Sequence, residues 1–181
     1  AAAIAALRCR QCGQDGDVPR LGDGEGARTP FEATIVNHET GRWARFAFQA
    51  VLPDSGADRS GIPETALPIL EAKVGAVRKV RRPVLVGSGL EQLTMIENVT
   101  VCGRHPPPGG LTHRARGLGG REKPERPGDI CRRTSLLVIP DLQASFLIGR
   151  DLMLPAKSRI DYGNGEFCFN GRCVPLEGAT P

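Results

Sequence analysis

The stretch Phe46-Ala47-Phe48-Gln49-Ala50-Val51-Leu52-Pro53-Asp54-Ser55-Gly56-Ala57-Asp58 runs an apolar, strand-like segment straight into an acidic residue at a Ser-Gly turn. It constrains the fold because a strand that ends on Asp54 delivers a carboxylate to a sharp bend. Gly56 lets the chain turn where a side chain would clash, and the Ser55 hydroxyl can fix the turn by bonding to nearby backbone. Taken alone, Asp-Ser-Gly is also ordinary turn chemistry. Its weight depends on what else the chain carries.

Three further segments add that weight. Leu136-Leu137-Val138-Ile139-Pro140-Asp141-Leu142 reads as a buried strand, and Ser145-Phe146-Leu147-Ile148-Gly149-Arg150-Asp151-Leu152-Met153 as a strand, a glycine turn and a helix start. Pro83-Val84-Leu85-Val86-Gly87-Ser88-Gly89-Leu90 reads as a strand entering a Gly-Ser-Gly tip, with Leu93 to Val101 supplying the returning and next strands. In order, these segments resemble the retropepsin family, the aspartic proteases of retroviruses and LTR retrotransposons. That family carries an apolar-Asp-Thr/Ser-Gly-Ala motif, a glycine-rich flap and a late Ile-Gly-Arg-Asp/Asn segment.

The resemblance implies an all-β fold, a retropepsin-like closed β-barrel of one lobe per subunit, with a flap hairpin and one short C-terminal helix. It implies catalysis by Asp54 with Ser55 and Gly56, substrate contacts from Ala57, Asp58 and the flap residues Gly87, Ser88 and Gly89, and structural support from Gly149, Arg150 and Asp151. Arg150 would pair with Asp58 and brace the active-site turn, and Ser55 would lock two such turns together. Aspartic hydrolysis of a peptide needs two carboxylates close enough to share a proton. The chain contains no second Asp-Thr/Ser-Gly triplet, so the second carboxylate must come from another copy, on the axis of a homodimer. The expected substrate is a polypeptide, as in a retrotransposon or retrovirus-like polyprotein, with no cofactor and no metal. The setting so implied is cytoplasmic, including virus-like particles. Rival readings are a retropepsin-fold dimerisation or peptide-binding module without turnover, and a Gag-like RNA-associated fragment.

Two positions depart from the family pattern. Pro53 stands where an apolar residue with a free N–H is usual and is expected to weaken strand pairing. Gly61 stands where a larger apolar residue would anchor the chain.

Charge divides the chain. Residues 103–135 hold eight Arg or Lys against three Asp or Glu, whereas the other 148 residues carry 16 basic and 17 acidic. With seven Gly and five Pro and no apolar period, 103–135 reads as a disordered basic insertion, able to make weak, salt-sensitive RNA contacts. It interrupts a protease domain over 31–176, between a flexible segment over 1–30 and a tail over 177–181. Removing it shortens the separation of Asp54 and Gly149 from 95 to 62 residues. No apolar run approaches the roughly 20 residues that span a bilayer, so no membrane partner is expected. Aromatic residues make up only 4%, which points to a core of Leu, Val, Ile and Ala.

Cys9-Arg10-Gln11-Cys12-Gly13 resembles the front half of a retroviral zinc knuckle, but Asp17 and Gly22 occupy the remaining ligand positions. Two cysteines are a poor tetrahedral set. A tight turn at Asn170-Gly171 would set Cys168 opposite Cys173, close enough for a cross-strand disulfide, and Cys102 and Cys131 bracket the insertion and could staple its base under oxidising conditions; a cytosolic setting would favour reduced thiols, so the sequence leaves the redox state of both pairs open. His38, His105 and His113 read as solvated side chains. Ser158 to Tyr162, Glu166 to Phe169 and Arg172 to Leu176 read as successive hairpin strands, and Pro63 to Lys73 as a short helix or a looped strand.

Overall fold

The computed structural model describes residues 7–9, 31–106 and 123–176. β-Branched and aromatic residues fill β2 (Phe31–Asn37) and β3 (Trp43–Phe48), and the intervening turn closes through Gly41, whose φ of 74° suits glycine. The hairpin pairs Phe31 with Phe48 through Val36 with Trp43. Its outer edge carries β1 (Leu7–Cys9) on β3. On the other side β2 pairs with β7 (Gly89–Arg104), which is one continuous strand where two had been expected.

β7 pairs in turn with β6 (Arg78–Val86) and with β8 (Ile130–Ile139). The sheet continues through β5 (Gly61–Pro63) and β9 (Phe146–Ile148) to β4 (Val51–Pro53), giving the order β1-β3-β2-β7-β8-β5-β9-β4 with β6 branching from β7. It curls as a half-barrel, and its path among the described residues has two ends, β1 and β4. A second sheet holds β10 (Arg159–Asp161), β11 (Glu166–Phe169) and β12 (Arg172–Pro175). The protein is mostly β.

Two α-helices are present among the described residues. α1 (Leu67–Val74) follows a short 3-10 turn, buries Leu70 and Val74, and ends at Gly75, where φ is 81°. Asn37 fastens that end by donating its amide to the carbonyls of Val74 and Ala76 at 3.1 and 3.0 Å. α2 is the single turn Arg150–Met153.

The core departs from the composition-based expectation. All six phenylalanines, Phe31, Phe46, Phe48, Phe146, Phe167 and Phe169, are fully buried. Phe146 lies 4.7 Å from Phe48 and 5.8 Å from Phe31, which meets Phe169 edge-on at 5.2 Å. A few aromatics that converge outweigh a low percentage, since each buries a large apolar area. His105, read as solvated, is 3% exposed and sits edge-on to Phe31 and Phe167. His38 bonds Thr100 Oγ1 through Nε2 at 2.7 Å, and His113 lies outside the described residues.

The insertion is narrower than its composition suggests. β7 runs through Arg104 and β8 starts at Ile130, so both ends of 103–135 are strand, while 107–122 lies outside the described residues. Residues 123–129 are held from below. Arg126 pairs with buried Glu32 at 2.9 Å, and Arg45 donates to the Lys123 carbonyl at 2.7 Å. Burial, then repulsion from Arg126, lowers the Arg104 guanidinium below its ordinary pKa, and Asp129 and Glu32 oppose that shift. Both cysteine pairs, whose redox state the sequence leaves open, are disulfides: Cys102–Cys131 joins β7 to β8, and Cys168–Cys173 joins β11 to β12.

Candidate functional site

Asp54 leaves the end of β4, the outermost strand beside β9. Its N–H donates to the Ile148 carbonyl at 2.9 Å. In a parallel ladder alternate N–H groups face the partner, so the Pro53 nitrogen points to the unpaired edge, where a proline removes no ladder bond. The expected weakening by Pro53 therefore does not arise.

The turn beyond Asp54 is closed by its own atoms. The Gly56 N–H donates to Asp54 Oδ1 at 2.9 Å and the Ala57 N–H to the Asp54 carbonyl at 3.2 Å. A Cβ on Gly56 would stand 3.2 Å from Asp54 Oδ1, so glycine keeps room for the carboxylate. Asp54 is half-buried and Ser55 exposed, and the Ser55 hydroxyl makes no hydrogen bond among the described residues. The loop is then tied to α2: the Arg150 N–H donates to the Ala57 carbonyl at 2.8 Å, and the Arg150 guanidinium pairs with Asp58. Their side chains are 48% and 77% exposed, which makes that ion pair a weak brace.

A stronger brace lies one layer deeper, where Ser60 and Thr134, which the sequence pattern did not single out, meet Gly149 and Asp151. Ser60, fully buried, accepts from the Gly149 N–H at 3.0 Å and donates its hydroxyl to Asp151 Oδ1 at 2.7 Å. Thr134, on β8, donates to Asp151 Oδ2 at 2.9 Å and accepts from Arg59 Nη1 at 3.2 Å. Asp151, expected as structural support, accepts from the Leu152 N–H at 3.0 Å. Its larger part is to join β8, the loop after Asp54 and α2. Gly149 is required by space: a Cβ there would stand 2.5 Å from the Arg59 carbonyl carbon and oxygen.

Gly61 is also a close approach and no lost anchor. It pairs with Leu137, and a Cβ would lie 2.8 Å from Ile139 Cδ1 and 3.0 Å from the Leu137 carbonyl oxygen.

Gly87, Ser88 and Gly89 form the tip of the β6–β7 hairpin. Val86 pairs with Gly89 across a two-residue turn, and the Ser88 hydroxyl donates to Glu91 Oε1 at 3.1 Å. Leu85 and Leu90 face each other just behind the tip, 78% and 74% exposed. No protein partner covers these two apolar side chains within the described residues.

Among the described residues one group brings metal-ligating atoms together, Glu166, Cys168 and Cys173. The two sulfurs are joined in a disulfide, which leaves no thiolate. Cys9 ends β1, and residues 10–13 of the half-knuckle, Cys12 included, lie outside the described residues.

No family model and no curated protein matches the chain. Among solved structures it is similar to the retroviral protease-like domain of Ddi1 from Leishmania major, at 19% identity and a TM-score of 0.39, over 82% of this chain and 94% of that one.

Proposed function

We propose that the chain is one subunit of an aspartic endopeptidase of the retropepsin type, with Asp54 supplying half of a catalytic pair. The observation that carries this reading is the Asp54 turn itself. A half-buried carboxylate is fixed by a Gly56 N–H at 2.9 Å, on a loop anchored through backbone bonds to Ile148 and Arg150. In a twofold dimer the Asp54 carboxylates of two copies share one proton. The ionised member takes a proton from a water, and the protonated member polarises the scissile carbonyl. The hydrated intermediate then collapses as a proton passes to the leaving amine. The β6–β7 hairpin closes over an extended peptide as a flap, with Leu85 and Leu90 supplying apolar cover that excludes bulk water. A closed, retropepsin-like barrel and a polyprotein substrate complete the proposal.

The test is turnover of extended peptides at mildly acidic pH, with and without Asp54→Asn and a pepstatin-type inhibitor. Both should abolish cleavage, and the rate at high dilution should fall faster than the protein concentration as dimers dissociate. Cleavage that survives Asp54→Asn, or a rate linear in concentration from a sedimenting monomer, would overturn the shared-carboxylate scheme.

A further inference from the structure

A groove of about 370 Å³ lies on the flank of the sheet where β6, β7 and β8 meet the loop that follows Asp54. Its lining includes Arg59, Arg78 and Arg133 against a single carboxylate, Glu97, which is already occupied by Arg82 at 3.3 Å. Three guanidiniums gathered at one concavity repel one another unless something anionic is there to meet them.

The backbone is shaped to hold this arrangement. The β7–β8 register shifts between Ile96 and Val99, and Asn98 within that irregularity takes φ of 60°, a conformation few side chains adopt. The bulge aims Asn98 so that its carbonyl oxygen accepts from the Arg133 guanidinium while its amide donates to Glu39 at 2.9 Å; Glu39 in turn holds Arg78 at 2.7 Å. Arg59 is set by Thr134, and its backbone is packed against Gly149. Arg59 and Arg133 therefore each meet a neutral oxygen and, among the described residues, no carboxylate within ion-pair distance. Both are exposed. A guanidinium has five N–H donors, so each keeps a free fork for a planar anion.

We infer that this groove binds carboxylate side chains of an acidic polypeptide segment. It would thereby select substrates with an acidic stretch beside the scissile bond, because Arg59 lies five residues from Asp54 on the same anchored loop. Only the word substrate rests on the endopeptidase reading; the affinity for acidic peptide does not depend on Asp54. Peptide is favoured over single-stranded nucleic acid because, among the described residues, the lining has no aromatic ring on which a base could stack.

The experiment measures fluorescence anisotropy of the full chain with an oligoglutamate peptide, its oligoglutamine counterpart and an oligouridylate, across a salt series. Oligoglutamate should bind more tightly than either, and salt should weaken it. Arg59→Gln and Arg133→Gln should each weaken it about threefold and the pair about tenfold, the scale of exposed charge pairs. Glu97→Gln should strengthen it, a gain that misfolding cannot imitate. Asp54→Asn should leave it unchanged while abolishing any cleavage. Equal binding of oligoglutamine, an indifferent double variant, or tighter binding of oligouridylate would overturn the inference. Intact binding without turnover in the parent would count against the endopeptidase reading alone.

Discussion

Ser60 and Asp151 are joined twice: the Ser60 N–H meets the carboxylate at 3.0 and 3.1 Å, and the Ser60 hydroxyl meets Oδ1 at 2.7 Å. With Thr134 on Oδ2 at 2.9 Å, one carboxylate fixes three segments around the loop that carries Asp54. Asp151→Ala would leave the Ser60 N–H and two hydroxyls without that acceptor in a largely buried place, at a cost of about 3 kcal/mol. Asp151→Asn keeps one acceptor oxygen and should cost about half as much. Urea unfolding of the two variants checks the order; an alanine variant as stable as the parent would remove Asp151 from the bracing.

Gly149 and Gly61 should respond differently to alanine. At Gly149 the added Cβ runs into the Arg59–Ser60 backbone, with Arg59 C and O at 2.5 Å and Ser60 N at 2.9 Å. None of these can yield without moving the Asp54 loop, so Gly149→Ala should cost about 3 kcal/mol and remove activity with it. At Gly61 the one atom under 3.0 Å, at 2.8 Å, is the mobile end of Ile139, and the nearest backbone atom, the Leu137 carbonyl oxygen, stands at 3.0 Å, where a shift of a few tenths of an ångström relieves it. Gly61→Ala should therefore cost about 1 kcal/mol. Equal losses in thermal and urea unfolding would contradict the distinction between rigid and yielding neighbours.

Local chemistry explains what the sequence disclosed. The Asn170-Gly171 turn, the strand into Asp54 and the glycine before α2 are each written within a few residues, where turn geometry and strand periodicity act. Ser60 and Thr134 were not legible, because a hydroxyl has no periodic signature and their shared partner Asp151 lies 91 and 17 residues away. The effect of Pro53 was misjudged for a related reason. Whether a missing N–H matters depends on which edge of the sheet β4 occupies, and that is a property of the assembled strand order. The same holds for Gly61, whose small size reads as a defect until Leu137 and Ile139 are seen against it.

The two disulfides should differ in worth. Cys102–Cys131 closes a separation of 29 residues and Cys168–Cys173 one of five. Loop-closure entropy then assigns about 3–4 kcal/mol to the first and about 2 kcal/mol to the second. Replacing each pair with alanine and comparing guanidinium midpoints under oxidising conditions should reproduce that order. A larger loss from the short hairpin pair would mean that native-state contacts, not chain entropy, set their contributions.

Acid should loosen α1 at a pH that Glu71 sets. Its carboxylate accepts from Lys79 Nζ at 2.9 Å and from the Val77 N–H at 3.2 Å, fastening the end of α1 to the start of β6. The Lys79 hydrogen bond is the largest influence and holds the pKa below its ordinary value of 4.5; burial opposes it, and the Val77 N–H adds to it. A folded-state pKa below the unfolded one gives stability that is complete above the unfolded value and lost as pH falls through the folded value. Glu71→Gln should therefore be less stable than the parent at neutral pH, and the gap should close as pH falls through the lowered folded-state value. Urea midpoints from neutral to acidic pH measure it, and a gap that widens in acid would reverse the sign argued here.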